Sequence, residues 1–126
     1  MGTVAITSFG YLHGKPPLAH LTLDLRHHFR DPHVSPELRH MTATDEAVRT
    51  AVLGTAGIED LITATASAVA AFAAGPSTGI VLVADGCAGG RHRAPTFAQA
   101  LADRLAADGH TVTVQHRDLH RPVVNR

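Results

Sequence analysis

The chain has a single cysteine, Cys87, so no disulfide can form within it. That usage fits a reducing compartment. Tryptophan is absent and aromatic residues make up 4% of the chain, so a core must rest on Val, Leu, Ile and Ala. Lys15 is the only lysine. No apolar run approaches the ~20 residues of a membrane span. The first residues lack the basic stretch, apolar core and cleavage site of a secretory signal. The expected compartment is therefore the cytoplasm, with no membrane partner. Net charge is also missing: 11 basic residues balance 11 acidic ones, so bulk charge does not argue for nucleic acid.

Hydrophobic residues make up 44% of the chain and charged ones 17%, which supports a packed core rather than a disordered tail. At 126 residues the expectation is one domain, residues 1–126, with a tail from about 117 onward. Two stretches concentrate cationic and imidazole side chains. One carries Arg26, Arg30, Arg39, His27, His28, His33 and His40; the other carries His116, Arg117, His120, Arg121 and Arg126.

Val4 to Phe9 reads as a strand, and Leu21 to Arg26 alternates as a second one. Residues 27–44 read as an irregular loop broken by Pro32 and Pro36. A short helix is expected from Asp45 towards Leu53, and an Ala-rich helix from Ile58 to Ala74. The apolar run Ile80 to Ala84 reads as a buried strand, the segment from about Ala94 to Ala107 as a helix, and Thr111 to His116 as the last strand. Strands alternating with helices favour parallel pairing. The expected fold is a small α/β sandwich of two or three layers, with a mostly parallel four-stranded sheet and flanking helices. The Ala-rich helix offers a smooth face for burial on the sheet or for pairing with a second copy.

Gly86-Cys87-Ala88-Gly89-Gly90-Arg91-His92-Arg93 lies between a strand and a helix N-terminus. Glycines allow a sharp turn and close approach to a ligand. Free N–H groups and the helix dipole favour an anion there, and Arg91, His92 and Arg93 add donors suited to phosphate. The segment therefore reads as a phosphate-binding loop. In open sheets of this kind ligands sit at the C-terminal ends of the strands. Asp24, Arg26 and His33 on one side, and His116 with Arg117 on another, are then candidates to converge on it. In this reading Arg93 and the amides of Ala88 to Arg91 hold phosphate, and Arg26 and His33 approach from the second strand and its loop, beside Asp24.

The loop is neither a Walker A sequence nor a dinucleotide fingerprint. It does fit Cys-x-x-Gly-x-x-Arg through Cys87, Gly90 and Arg93, the pattern of cysteine-dependent phosphatases, in which a low-pKa thiolate attacks phosphorus. Ala94 follows the Arg where that family has a hydroxyl, and Gly86 precedes the Cys where it has His. A general acid would have to be Asp31 or Asp45. His27, His28 and His33 with His116 or His120 match no metal-ligand spacing. No metal and no cofactor are expected.

Gly-Cys-Ala-Gly-Gly-Arg-His-Arg, a helix, and then Val-x-Val-x-His-Arg-Asp-Leu together resemble the C-terminal domain of the RNase adapter RapZ family. Ser8-Phe9-Gly10-Tyr11 with Gly14, Asp24-Leu25-Arg26, Asp31-Pro32-His33, Pro36-Glu37-Leu38-Arg39 and Met41-Thr42 with Asp45 and Val48 fit the same family in order. The resemblance runs from about Thr7 to Leu119. It implies a non-enzymatic domain that senses glucosamine-6-phosphate in the glycine-rich pocket and presents a small regulatory RNA to an RNase. It also implies an N-terminal nucleotide-binding domain, on this chain or on a separate partner, that these 126 residues do not include. Arg91, Arg117 and Arg121 are the candidate RNA contacts. Ala88 and Ala94 stand where the family has Thr and Ser, which removes two hydroxyls able to bond phosphate.

Overall fold

The computed structural model describes residues 2–125. Four strands and three helices follow in the order β1 (Thr3–Gly10), β2 (Leu21–Asp24), α1 (Glu46–Leu53), α2 (Ile58–Ala73), β3 (Val81–Cys87), α3 (Arg93–Ala107) and β4 (Thr111–His116). The strands form one sheet in the order β2-β3-β1-β4, and every pairing is parallel. Single 3-10 turns at Tyr11–His13 and Pro32–Val34 punctuate the loops.

One face of the sheet carries the core. Val4 and Ile6 of β1, Val81 and Val83 of β3, and Val112 and Val114 of β4 pack against Ile58, Ile62, Ala66 and Val69 of α2 and Phe97, Ala98, Leu101 and Leu105 of α3. The apolar stripe of α2 is thus spent on the interior. The opposite face stays largely open: Thr3, Thr22, Thr111, Thr113 and Gln115 are exposed along it, and Leu82 is 36% exposed. The architecture is two-layered. The alternation read in Thr111 to His116 is the mark of a strand with one wet side.

The third strand runs further than its apolar composition suggests. It continues through Asp85 and Gly86 to Cys87, paired with Ser8, Phe9 and Gly10. Gly86 makes this geometry feasible, because a Cβ there would collide with the rings of Phe9 and Tyr11. The first two residues of the glycine-rich segment, Gly86 and Cys87, are therefore strand, and the turn proper is residues 88–92. The second strand stops at Asp24 rather than Arg26, because Asp24 turns its carboxylate onto the backbone and side chain of Arg26.

The segment after β4 is docked where a tail was expected. Arg117 donates its backbone N–H to Ser8 O. Asp118 is fully buried and accepts from the Gly10 N–H at 2.8 Å, and Leu119 is buried beside it. Residues 27–44 are irregular as expected, but they are tied down. Asp31 caps its 3-10 turn through the His33 N–H, and Arg39 Nε donates to His33 O.

Candidate functional site

The turn 88–92 crosses the C-terminal ends of β3 and β1 and leads straight into α3. Gly90 sets its path with φ +76°, a region that side chains other than glycine rarely enter. A Cβ there would lie 2.8 Å from Gly10 N and 2.9 Å from Asp118 Cβ. The turn is thus pressed onto the end of β1. Its carbonyls are partly engaged: Leu12 N–H donates to Ala88 O and Ala43 N–H to Arg91 O. Its amides are not. The N–H groups of Ala88, Gly89, Arg91, His92 and Arg93 donate to no acceptor among the described residues. Ala88, Gly89 and Arg91 are half-exposed. Unspent amides at the start of a 15-residue helix give this end of the sheet a positive potential.

The flanking cations divide into structural and available ones. Arg93 is 2% exposed. Its Nη1 donates to the carbonyls of Leu25, Arg26 and Phe29, and its Nη2 lies 3.2 Å from Asp31. Arg93 clamps the chain after β2 against the start of α3. Arg91 reaches outward to Arg121 O and His40 O, stapling the C-terminal segment to the 40–41 loop. His92 is buried, with Nε2 2.8 Å from Met41 O, and burial lowers its pKa. Arg26 is the exposed cation. It pairs with Asp24 at 2.7 Å and lies 3.7 Å over the ring of Tyr11. Its hydrogen bonds hold the Asp24 carboxyl down to about 2.

Arg117 also lies at this end of the sheet, its guanidinium 5.3 Å from the Phe9 ring centroid and its Nη1 on Lys15 O. Arg117 and Arg121 both bind Asp118. Burial opposes the charge on Asp118, but bonds from Arg117 and Gly10 outweigh it and lower its pKa. Of the three arginines named as RNA contacts, Arg117 and Arg121 therefore share one buried carboxylate, and Arg91 joins them through the Arg121 carbonyl. His33 sits on its 3-10 turn, half-buried, behind the Asp31–Arg93 pair.

His116 goes elsewhere. Its side chain faces the helices, where Nδ1 lies 2.7 Å from Ser8 Oγ. Ser8 is in turn the cross-strand partner of Asp85. Asp85 is fully buried, and neither of its oxygens has a hydrogen-bond partner among the described residues. Desolvation raises its pKa well above 3.8. Reading the strand as ending at Ala84 hid this acid, and an Asp directly after an apolar run was the signal for it.

The cysteine-phosphatase alternative finds no support. Cys87 is 3% exposed, and burial raises the pKa of its thiol. Its Sγ accepts from the Ala94 N–H at 3.4 Å. A nucleophile of that class needs the opposite: a lowered pKa and access to substrate. Among the described residues no three His, Cys, Asp or Glu side chains come together as metal ligands, and no single helix is long and apolar enough to cross a membrane.

The model of the RapZ C-terminal domain matches residues 2–120. The chain belongs to the RapZ C-terminal domain family. It is 42% identical over 121 residues to a protein of Salinispora tropica named "Nucleotide-binding protein". Proteins of the same name from Thermobifida fusca and Streptomyces coelicolor are 38% and 39% identical over 119 residues. These matches cover 92–94% of this chain but 40% of each relative. The chain therefore spans about two fifths of the length of these curated relatives. Within the RapZ C-terminal domain seen here, the family's Gly-Cys-x-Gly-Gly segment is the end of β3 and the turn, its Ser-Phe-Gly is the end of β1 that the turn presses on, and its His-Arg-Asp-Leu is the docked segment after β4.

Proposed function

We propose that this RapZ C-terminal-like domain is a non-enzymatic sensor that binds a sugar phosphate, glucosamine-6-phosphate being the first choice, on the turn 88–92. The observation that carries the reading is the set of unspent amides of Ala88, Gly89, Arg91, His92 and Arg93 at the N-terminus of α3. Such a set gains most from a ligand with several acceptor oxygens and negative charge. In this reading Arg26, exposed and paired with Asp24, adds a positive charge, and Asp24 accepts from a sugar ammonium or hydroxyl. Arg93 acts one step back, holding the residues that carry Arg26.

Calorimetric titration with glucosamine-6-phosphate, glucosamine and inorganic phosphate tests this. The phosphorylated sugar should bind, phosphate more weakly, and glucosamine not at all. Arg26→Ala should weaken the sugar phosphate by about tenfold, the loss of one charge-assisted contact. No heat from any of the three ligands at millimolar concentration, in a folded sample, rejects the reading.

The pairing of Arg117 and Arg121 with Asp118, with Arg91 bonded to the Arg121 carbonyl beside them, favours RNA as a second ligand. Two arginines on one carboxylate, with Arg91 adjacent, leave a surplus of positive charge next to the turn. Binding of a structured RNA should then weaken steeply with salt, because phosphate contacts release counterions. An affinity indifferent to salt would remove RNA from the account.

A further inference from the structure

A cavity of about 330 Å³ opens on the far side of the turn, between α1, the start of α3 and the end of β4. Three features make it a built site rather than a crease. Thr96 lines it, is 2% exposed, and its hydroxyl has no hydrogen-bond partner among the described residues. Buried hydroxyls left without a partner are rare and call for an explanation. His116 lines it from below with Nδ1 already held by Ser8, which leaves Nε2 for the cavity. Arg49 lines it from α1. Its Nη1 is spent on the carbonyls of Ala43 and Thr44, whereas Nε and Nη2 bond to nothing among the described residues. No carboxylate lines the cavity, and Pro95 and Leu119 supply an apolar wall.

We propose that this cavity is a second ligand site, separate from the turn, for a small organic anion. The apolar body lies against Pro95 and Leu119. The anionic head accepts from the Arg49 guanidinium and His116 Nε2, and a χ1 rotation of Thr96 turns its hydroxyl, closed off in the empty cavity, onto the head. The volume suits a ligand at the small end of the usual range. A cationic ligand would meet Arg49 with nothing to offset it. A purely apolar one would leave the buried Thr96 hydroxyl unsatisfied.

The site accommodates either a carboxylate or a phosphate head, so the probes are benzoate and phenyl phosphate, with benzyl alcohol as the neutral match. Titrations followed by amide chemical shifts report both affinity and place. The expected result is that at least one acid binds in the millimolar range or tighter, shifts centre on Thr96, Gln99 and His116, and benzyl alcohol binds at least about tenfold more weakly. Which acid binds more tightly identifies the head group. Thr96→Val should weaken the bound acid by about tenfold while leaving the melting temperature equal or higher, because it removes an unsatisfied hydroxyl of similar shape. Arg49→Gln should weaken the acid as well. The proposal is overturned if neither acid binds at millimolar concentration, if benzyl alcohol matches the acids, or if Thr96→Val binds as the wild type does. Shifts confined to residues 88–92 would place the acids on the turn and overturn it too.

Discussion

Asp85 should cost this domain stability at neutral pH, and replacing it should make the protein more stable. Its carboxyl is fully buried on β3, and neither oxygen has a partner among the described residues. A buried polar group without a partner costs about 1–3 kcal/mol. The charge adds a pH-dependent part. Burial raises the folded-state pKa well above the ordinary 3.8. The folded state therefore holds a proton that the unfolded state releases as pH rises past that value. Stability is fully present below the unfolded pKa and falls by ~1.4 kcal/mol per pH unit until the folded pKa is passed. Asp85→Asn keeps an unpaired polar group but cannot ionise, so it should flatten the decline and match the wild type only in acid. Asp85→Val removes both costs. It should gain about 1–3 kcal/mol beyond any ionisation relief, or roughly 5–15 °C in melting temperature for a chain of this size. Thermal unfolding of the three proteins from pH 4 to pH 8.5 measures all of this. Parallel pH curves for wild type and Asp85→Asn would show that the carboxyl is solvated or paired in solution. An Asp85→Val variant less stable than the wild type at every pH would refute the reasoning outright.

Three further predictions rest on other parts of the same end of the sheet. Arg93→Met should destabilise by about 3–5 kcal/mol, because it strands three carbonyls that the guanidinium now satisfies and removes its ion pair with Asp31; chemical denaturation checks it, and a loss under about 1 kcal/mol would mean the clamp is not formed. Gly90→Ala meets both a φ of +76° and backbone at 2.8 Å, so it should lose more than the about 1 kcal/mol of a strained φ alone and weaken sugar-phosphate binding with it. Cys87 should react with a thiol reagent only at the rate of unfolding, since its thiol is buried and its pKa raised; rapid labelling of the native protein would contradict that.

The parts of the fold legible in the sequence are those where local chemistry and tertiary context agree. Ile58 to Ala73 and Arg93 to Ala107 carry an apolar stripe and clear stops, and both form helices within a residue of the expected bounds. Thr111 to His116 alternates because one side of its strand is wet. Errors arose where a long-range contact overrides composition. Asp85 and Gly86 look like the start of a turn, but the packing of Phe9 and Tyr11 over Gly86 keeps them in β3. Asp118 looks like a solvated residue of a tail, but it is buried to hold Gly10, Arg117 and Arg121.

The same logic divides the candidate site. The glycine turn itself was legible, because glycine spacing before a helix has a local meaning. Which cation serves a ligand and which serves the fold was not, because Arg91 and Arg93 are spent on partners 30 to 68 residues away, whereas Arg26 is engaged by nearby Asp24 and Tyr11. His116 shows the limit most clearly. Proximity in a linear motif grouped it with Arg117, yet the strand period of two sends neighbouring side chains to opposite faces of a sheet. Arg117 goes to Phe9 on the open face and His116 to Ser8 under the helices. One dipeptide of the His-Arg-Asp-Leu segment thus serves two sites, and substitutions at 116 and at 117 should have separable effects on binding at the cavity and at the turn.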